Sequence, residues 1–411
     1  MEKFYKEIKC CRICGSKRLK NILDLGTQAL TGVFPLPSEE VRSSPVTVCK
    51  CDRCNLVQLR HTVDLELMYG NTYGYESSLN GSMIRHLESI AKEVPSLVDL
   101  KDGDLILDIG SNDATLLSFY DKDKYTLVGI DPTAVKFMDN YKGMTVIPKF
   151  FNKKSFREAF PSRKAKVITS IACFYDLESP VQFAKETAEI LEDDGVWIIE
   201  MAYLPAIINN LCFDGYVQEH LEYYSLNDIK HIMDQCDLHI KDVQFNDVNG
   251  GSFRVTVAKD ANKNSSPYWR LDSLLISESH LANMETHSFF EEDVVQFKQK
   301  FRGQLEDWKD KGLKVYGIGA STKFNVVLQY CGVDTSLITA IGEVNSYKFG
   351  RVTPGTNIPI IPEKEVLAEK PDVLVVGPYH FRSGFLKAFD SYVKDGGALY
   401  FPLPCLELVK G

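Results

Sequence analysis

Short apolar runs that close on a glycine or an acid alternate with stretches of helical period over most of the chain, and this alternation predicts an α/β architecture. Helical periodicity runs from Ser78 to about Val98 and leads into Leu105-Ile106-Leu107, which breaks at Gly110. The run predicts a strand and the small-residue turn predicts a helix start, together the first unit of a doubly wound sheet. Further strands are expected at Tyr125 to Ile130, Ala165 to Ile171 and Gly195 to Glu200, with a helix from Val181 to Leu191. After His239 the period changes: Ile240 to Phe245 and Ser252 to Ala258, joined through Asn246 to Gly251, read as an antiparallel hairpin. A polar helical stretch from about Ser265 to Lys311 precedes a second alternating block, with strands expected at 313–318, 337–342, 373–377 and 398–401. These shifts divide the chain into segments 1–75, 76–264 and 265–411.

The first segment carries Cys11-x-x-Cys14 and Cys51-x-x-Cys54. Two thiolates on one tight turn share a small cation, and two such turns complete a tetrahedron, so Cys11, Cys14, Cys51 and Cys54 predict a zinc site. With no open position the metal is structural. Cys10 and Cys49 blur the register, and a disulfide pair or plain buried thiols are the competing readings. The chain has 411 residues, 44% hydrophobic and 25% charged, with a net charge of −9, which opposes nonspecific nucleic-acid binding. No run approaches a membrane span, and the N-terminus lacks a signal-peptide core, so a cytoplasmic protein is expected.

At the first strand end, a dinucleotide fingerprint would need Gly-x-Gly-x-x-Gly, and the chain has Gly110 alone. A loop of Asp108, Gly110, Asn112 and Asp113 would repel a pyrophosphate, yet it suits a cofactor with an amino group and a sulfonium. Asp131, closing the second strand, is placed to take both ribose hydroxyls. S-adenosylmethionine fits this set, and the hairpin after the parallel strands points the same way, because class I methyltransferases end on such a pair. A generic strand-helix turn is the alternative.

The segment Phe213 to Ser225 holds the densest mix of acid, base and phenol groups, including Tyr216, Glu219, His220 and Tyr224. Histidine removes a proton near neutral pH, and an adjacent glutamate tunes it or binds a hydroxyl. A helix cap with surface charges would look similar. In the last segment Gly319 ends a strand before Ser321, Thr322 and Lys323, and Glu343 occupies the position of a ribose-binding acid. That pattern admits NAD. The third glycine is absent, so a diphosphate held by backbone amides, Ser321 and Lys323 is the preferred reading. His380 and Arg382 follow the next strand, where such sheets bind ligands.

The two Cys-x-x-Cys turns, Tyr73 to Ser78, Asp108 to Asp113, Glu219 to Tyr224, Asn249 to Arg254 and Gly319 to Lys323 together resemble the three-domain, S-adenosylmethionine-dependent sugar C-methyltransferases of the mycarose and tetronitrose type. The resemblance implies a small zinc-binding domain, a class I methyltransferase Rossmann-like sheet and a second Rossmann-like α/β domain, with a nucleotide-linked 4-keto-deoxysugar between the last two. It implies that His220 removes the proton at C3 while Glu219 and Tyr75 hold sugar hydroxyls or the enolate oxygen, with Tyr216, Tyr224 and Asn249 among the substrate contacts. The chain departs from the family at Phe174, which replaces a histidine, at Val217, which replaces a tyrosine, and at Ala114, which replaces a glycine. Tyr175 or Tyr216 is expected to supply the missing polar groups. These departures keep methyl transfer to oxygen or nitrogen, or a silent sugar-nucleotide-binding protein, as alternatives.

Overall fold

A computed structural model of the chain describes residues 4–68, 75–260, 262 and 267–411; Tyr73, Gly74 and the start of the polar stretch at Ser265 lie outside them. β1 (Tyr5–Glu7), β2 (Leu19–Ala29), β3 (Ser43–Cys51), β4 (Val57–Leu59) and β5 (His61–Val63) build the N-terminal part. β2, β3 and β4 form an antiparallel sheet, and β1 pairs with β5 in a separate ribbon.

The middle of the chain supplies β6 (Leu105–Ile109), β7 (Thr126–Ile130), β8 (Thr145–Ile147), β9 (Ala165–Ile171), β10 (Leu191–Ala202), β11 (Glu222–Tyr223), β12 (Leu238–Asn246) and β13 (Ser252–Lys259). Seven of them form a sheet in the order β8-β7-β6-β9-β10-β13-β12. The first five are parallel, while β13 runs antiparallel to both β10 and β12. This is the class I methyltransferase sheet, with the terminal hairpin that the pattern after His239 predicts. β11 leaves that sheet and pairs with β4, adding an edge strand to the N-terminal sheet.

Both faces of the seven-stranded sheet are covered, which is why its strands read as uninterrupted apolar runs. Side chains alternate across a strand, so Leu105, Leu107 and Ile109 enter one core and Ile106 the other. The helix Gly81–Leu97 buries Leu87, Ile90 and Val94 against Ile106 and Leu127. On the opposite face the helices Pro180–Ile190 and Leu226–Met233 bury Phe183, Ile229 and Ile232. The helix start expected after Gly110 does not form. Asn112 at φ 48° and Ala114 at φ 65° are left-handed, a conformation no α-helix continues through, and only a short 3₁₀ turn at Leu117–Phe119 follows.

The last third carries β14 (Val315–Ile318), β15 (Ile341–Glu343), β16 (Ile360–Pro362), β17 (Val373–Val376), β18 (Ala398–Phe401) and β19 (Glu407–Lys410). Their order is β16-β15-β14-β17-β18-β19, parallel except for β19. The expected strand at 337–342 shrinks to β15, because Leu337 and Ile338 close a turn on Asp334. The helix Met284–Asp310 buries Phe290, Val294, Phe297, Phe301 and Leu305 at helical spacing, and its core is continuous with Ile22 and Leu23 of β2. The third domain is thereby packed on the first as well as on the second. Among the described residues no helix is long and apolar enough to cross a membrane.

Candidate active site

The four predicted zinc ligands converge. Cys11 and Cys54 sulfurs lie 3.5 Å apart, those of Cys14 and Cys51 3.6 Å, and all four within 4.8 Å of one another. A tetrahedron with metal–sulfur bonds of about 2.3 Å needs sulfurs about 3.8 Å apart, whereas a disulfide needs about 2.05 Å. The set therefore fits zinc and excludes the disulfide reading. Each knuckle closes the same way: Gly15 N donates to Cys11 O and Asn55 N to Cys51 O, both at 3.0 Å, and both residues have φ 68°. Cys49 is buried in the sheet and Cys10 is exposed, so neither competes.

A cavity of about 580 Å³ opens at the C-terminal ends of β6, β7, β9 and β10, closed by Gly32 and Phe34 from the N-terminal part and by Lys323 and Lys348 from the C-terminal part. Asp108, Gly110, Asn112 and Asp131 line it. Gly110 sits at φ 79°, and a Cβ there would meet the Cys173 side chain at 3.0 Å, so only glycine keeps the loop open. Asp131 accepts from Asn112 N at 2.9 Å and Thr133 N at 2.6 Å, which fixes its carboxylate at the cavity wall. Burial pushes Asp108 up to about 7 against the pull of the Thr169 hydroxyl at 2.6 Å. These acids, with no phosphate cradle beside them, fit S-adenosylmethionine. Asp113 does not reach the cavity: it accepts from Thr115 at 2.6 Å and from Ser78 N at 2.8 Å, pinning the turn that follows Tyr75.

Tyr75, Glu219, His220 and Asn249 also line the cavity, Tyr75 at its half-exposed edge. The His220 ring lies 4.0 Å from the Tyr175 ring, and its Nδ1 is 3.3 Å from Gly215 O. That bond places the proton on Nδ1 and leaves Nε2 with its lone pair. Burial and then the Lys323 charge hold His220 down to about 3, so the ring is neutral at physiological pH. Glu219 is pushed up by burial, and its Oε2 is buried with no hydrogen-bond partner. Tyr175 stands at the site, and Tyr216 does not. Tyr216 is buried against Tyr223 and Phe290, and Tyr224 is buried against Phe174, so both are core side chains rather than substrate contacts. Phe174 points away from the cavity into the same core, between Phe183 and Trp197.

The C-terminal turn differs from the expected phosphate cradle. Ala320 N already donates to Glu343 at 3.0 Å, Glu343 also accepts from the amides of Val344 and Asn345, and Ser321 caps Phe324 N. Neither Ser321 nor Glu343 lines the cavity, so the structure brings neither to the site as a diphosphate or NAD contact. Lys323 remains on the cavity wall, donating to Asn249 O at 2.6 Å. Arg382 is paired with Glu407 at 2.6 Å on the surface, and the His380 ring packs at a tilt against Phe381; neither lines the cavity.

Several cavity residues escape the sequence reading, Lys348 and Glu200 among them. Glu200, at the end of β10, is hydrogen-bonded to His86, lies 2.8 Å from Arg254 Nε and accepts from Asn246 at 3.1 Å. Burial pushes its carboxyl up, but His86 and Arg254 outweigh burial and hold it below the usual range. The available signal is an acid closing the apolar run Trp197-Ile198-Ile199, level with Arg254 across the hairpin.

Three family models match in order: a putative zinc-binding domain over residues 11–69, a methyltransferase domain over 83–243 and a C-methyltransferase C-terminal domain over 247–404. The C-methyltransferase NovU of Streptomyces niveus is 26% identical over 98% of this chain and 97% of its own length. The two solved structures described next each cover under half of the chain. An S-adenosylmethionine-dependent methyltransferase from Clostridium acetobutylicum, 14% identical, covers 42% of this chain and 89% of its own at a TM-score of 0.32. The plantazolicin methyltransferase BamL, 13% identical, covers 44% and 87% at 0.35. The chain is thus an S-adenosylmethionine-dependent methyltransferase that carries a zinc-binding domain, a methyltransferase domain and a C-methyltransferase C-terminal domain in that order, similar to NovU over nearly its whole length.

Proposed function

We propose that the chain methylates C3 of a nucleotide-linked 4-keto-deoxysugar. The observation that carries this reading is a neutral His220, its Nδ1 engaged by Gly215 and its Nε2 left unpartnered, in the cavity that also holds Asp108 and Asp131. A ketone at C4 acidifies the C3 proton. His220 Nε2 takes that proton, and the C–H electron pair moves into the C3–C4 bond as the carbonyl oxygen becomes an enolate. Burial pushes the Glu219 carboxyl up, which favours the form that donates to that oxygen or to a sugar hydroxyl, and Tyr75 offers a second donor from the rim. The ammonium of Lys323 favours the developing negative charge and keeps His220 neutral beforehand. Lys323 and Lys348 are the cavity's cationic side, suited to a diphosphate, while the acids lie on the cofactor side. Asp108, Asn112 and Asp131 would hold S-adenosylmethionine, which supplies an electrophilic methyl group to the enolate carbon.

Labelled S-adenosylmethionine and a panel of nucleotide 4-ketosugars, incubated with the protein in deuterated water, test the reading. Deuterium at C3 without cofactor, and label on C3 with it, are expected. Label on oxygen or nitrogen would sink C-methylation of this substrate class.

A further inference from the structure

Glu219 and His220 are held from both sides by the zinc-bearing domain. On one side Gln218 is buried, and its side-chain amide donates to the carbonyls of Gln28 and Ala29 at 3.2 and 3.4 Å. Its oxygen accepts from the Thr31 hydroxyl at 3.1 Å and the Thr31 amide at 3.4 Å. On the other side Leu221 O accepts from Leu59 N at 2.9 Å and from Arg12 Nη1 at 3.3 Å. The next residue, Glu222, pairs with Gln58 in the N-terminal sheet, and its carboxylate lies 3.4 Å from Arg12 Nε.

Arg12 stands between zinc ligands Cys11 and Cys14, and the same guanidinium also donates to Leu59 O at 2.8 Å and to the Thr62 hydroxyl at 2.7 Å. Its planar fork donates to four oxygens at once, the fourth being Gln58 Oε1 at 3.3 Å, and faces the Glu222 carboxyl besides, which a lysine ammonium cannot reproduce in that geometry. Glu222 is fully buried, so loss of Arg12 leaves an uncompensated acid beside the reactive dipeptide.

We infer that Arg12 and Gln218 are positioning residues that aim the His220 imidazole into the cavity, so the metal-bearing domain sets the direction of the base. This rests on the reading of His220 as base. Displacing a catalytic group by about 1 Å costs up to roughly 100-fold in rate.

The test uses the full, zinc-loaded chain labelled with nitrogen-15 histidine, the His220 ring signal being assigned by its loss in His220→Asn. Arg12→Gln with one equivalent of zinc should shift that signal, because the Tyr175 ring 4.0 Å away sets its position. It should also lower C3 exchange on a thymidine diphosphate 4-keto-6-deoxysugar roughly 10- to 100-fold, at unchanged affinity for S-adenosylmethionine, with part of both effects recovered by Arg12→Lys. If Arg12→Gln loses the metal, Gln218→Leu, remote from the cysteines, gives the same readouts. An unmoved His220 signal in the zinc-loaded variant, beside an inactive His220→Asn, would overturn this inference alone. Full C3 exchange by His220→Asn would overturn the base assignment and this inference with it.

Discussion

Adding one methyl group at Gly32 tests whether Glu219 takes part in the reaction without altering any polar group. A Cβ at residue 32 would stand 2.3 Å from Glu219 Oε1 and 3.5 Å from its Cδ. Ordinary contact distances are above about 3.2 Å, so the carboxyl has to retreat by roughly 1 Å. It can do so, since Oε2 has no hydrogen-bond partner to hold it. Gly32 is not among the residues at positive φ, so alanine is allowed by the backbone and gains about 0.4–1 kcal/mol from the unfolded state. Overpacking costs about 1–3 kcal/mol, leaving a net loss of about 0–2.6 kcal/mol, too small to unfold the chain. A displacement of that size at a group touching the reacting atoms lowers kcat by roughly 10- to 100-fold. Binding of S-adenosylmethionine should not change, because Asp108 and Asp131 sit on other elements. Gly32→Ala is assayed by transfer of labelled methyl to whichever 4-ketosugar the unaltered protein accepts, with calorimetry for the cofactor. Wild-type kcat in a folded Gly32→Ala protein would refute the role given to Glu219.

Asp131→Ala removes the acceptor of Asn112 N that we propose also takes the ribose hydroxyls, and charged hydrogen bonds of about 1.5–3 kcal/mol translate into a roughly 10- to 100-fold weaker Kd for S-adenosylmethionine by calorimetry. Metal analysis should find one zinc per chain, and Cys14→Ala should fall well below one; a full equivalent retained would contradict the ligand set. His220 has a folded pKa of about 3 against about 6.5 unfolded, so the unfolded state binds the extra proton between those values and stability is lost as pH falls. Relative to His220→Asn, the unaltered protein should therefore lose about 1.4 kcal/mol per pH unit below 6.5 in urea unfolding; parallel curves would contradict a buried neutral ring. Arg382→Ala should leave the KM for the sugar nucleotide unchanged and cost about 1 kcal/mol, because Arg382 makes a part-exposed pair with Glu407 and a cation–π contact with Phe401, both away from the cavity.

The central strands of the seven-stranded sheet are legible because they are buried on both faces, so Leu105 to Ile109 and Ala165 to Ile171 appear as apolar runs. The zinc ligands are legible because both knuckles are local: each closes on itself within a few residues. Short strands such as β8 and β16 give no comparable signal, since three residues carry no period. The C-terminal turn misleads for a related reason. Gly319 resembles a phosphate-binding glycine, yet its missing Cβ leaves room for Pro378, whose ring would stand 2.5 Å away. Tyr224 and Tyr216 mislead because a phenol in a polar segment looks reactive until the neighbouring rings that bury it are known.

What no local pattern reveals is the closure of the cavity across all three domains. Gln28, Thr31, Gln218 and Asn325 are polar residues that a one-dimensional reading assigns to solvated loops, yet each is at most 2% exposed. Burying an amide without a partner costs about 1–3 kcal/mol; Gln28 Oε1 and Asn325 Oδ1 have none among the described residues, whereas the hydrogen bonds of Gln218 and of the Asn325 amide nitrogen are made. Here they are made between domains: Gln218 to Thr31, and Asn325 to Thr31 O at 2.8 Å. Thr31 thus joins the reactive segment to the helix Thr322–Cys331, which carries Lys323, and the next residue, Gly32, forms the cavity wall against Glu219. Undocking any one domain would leave several of these groups unpaired together, which couples the order of the Glu219–His220 dipeptide to the docking of all three.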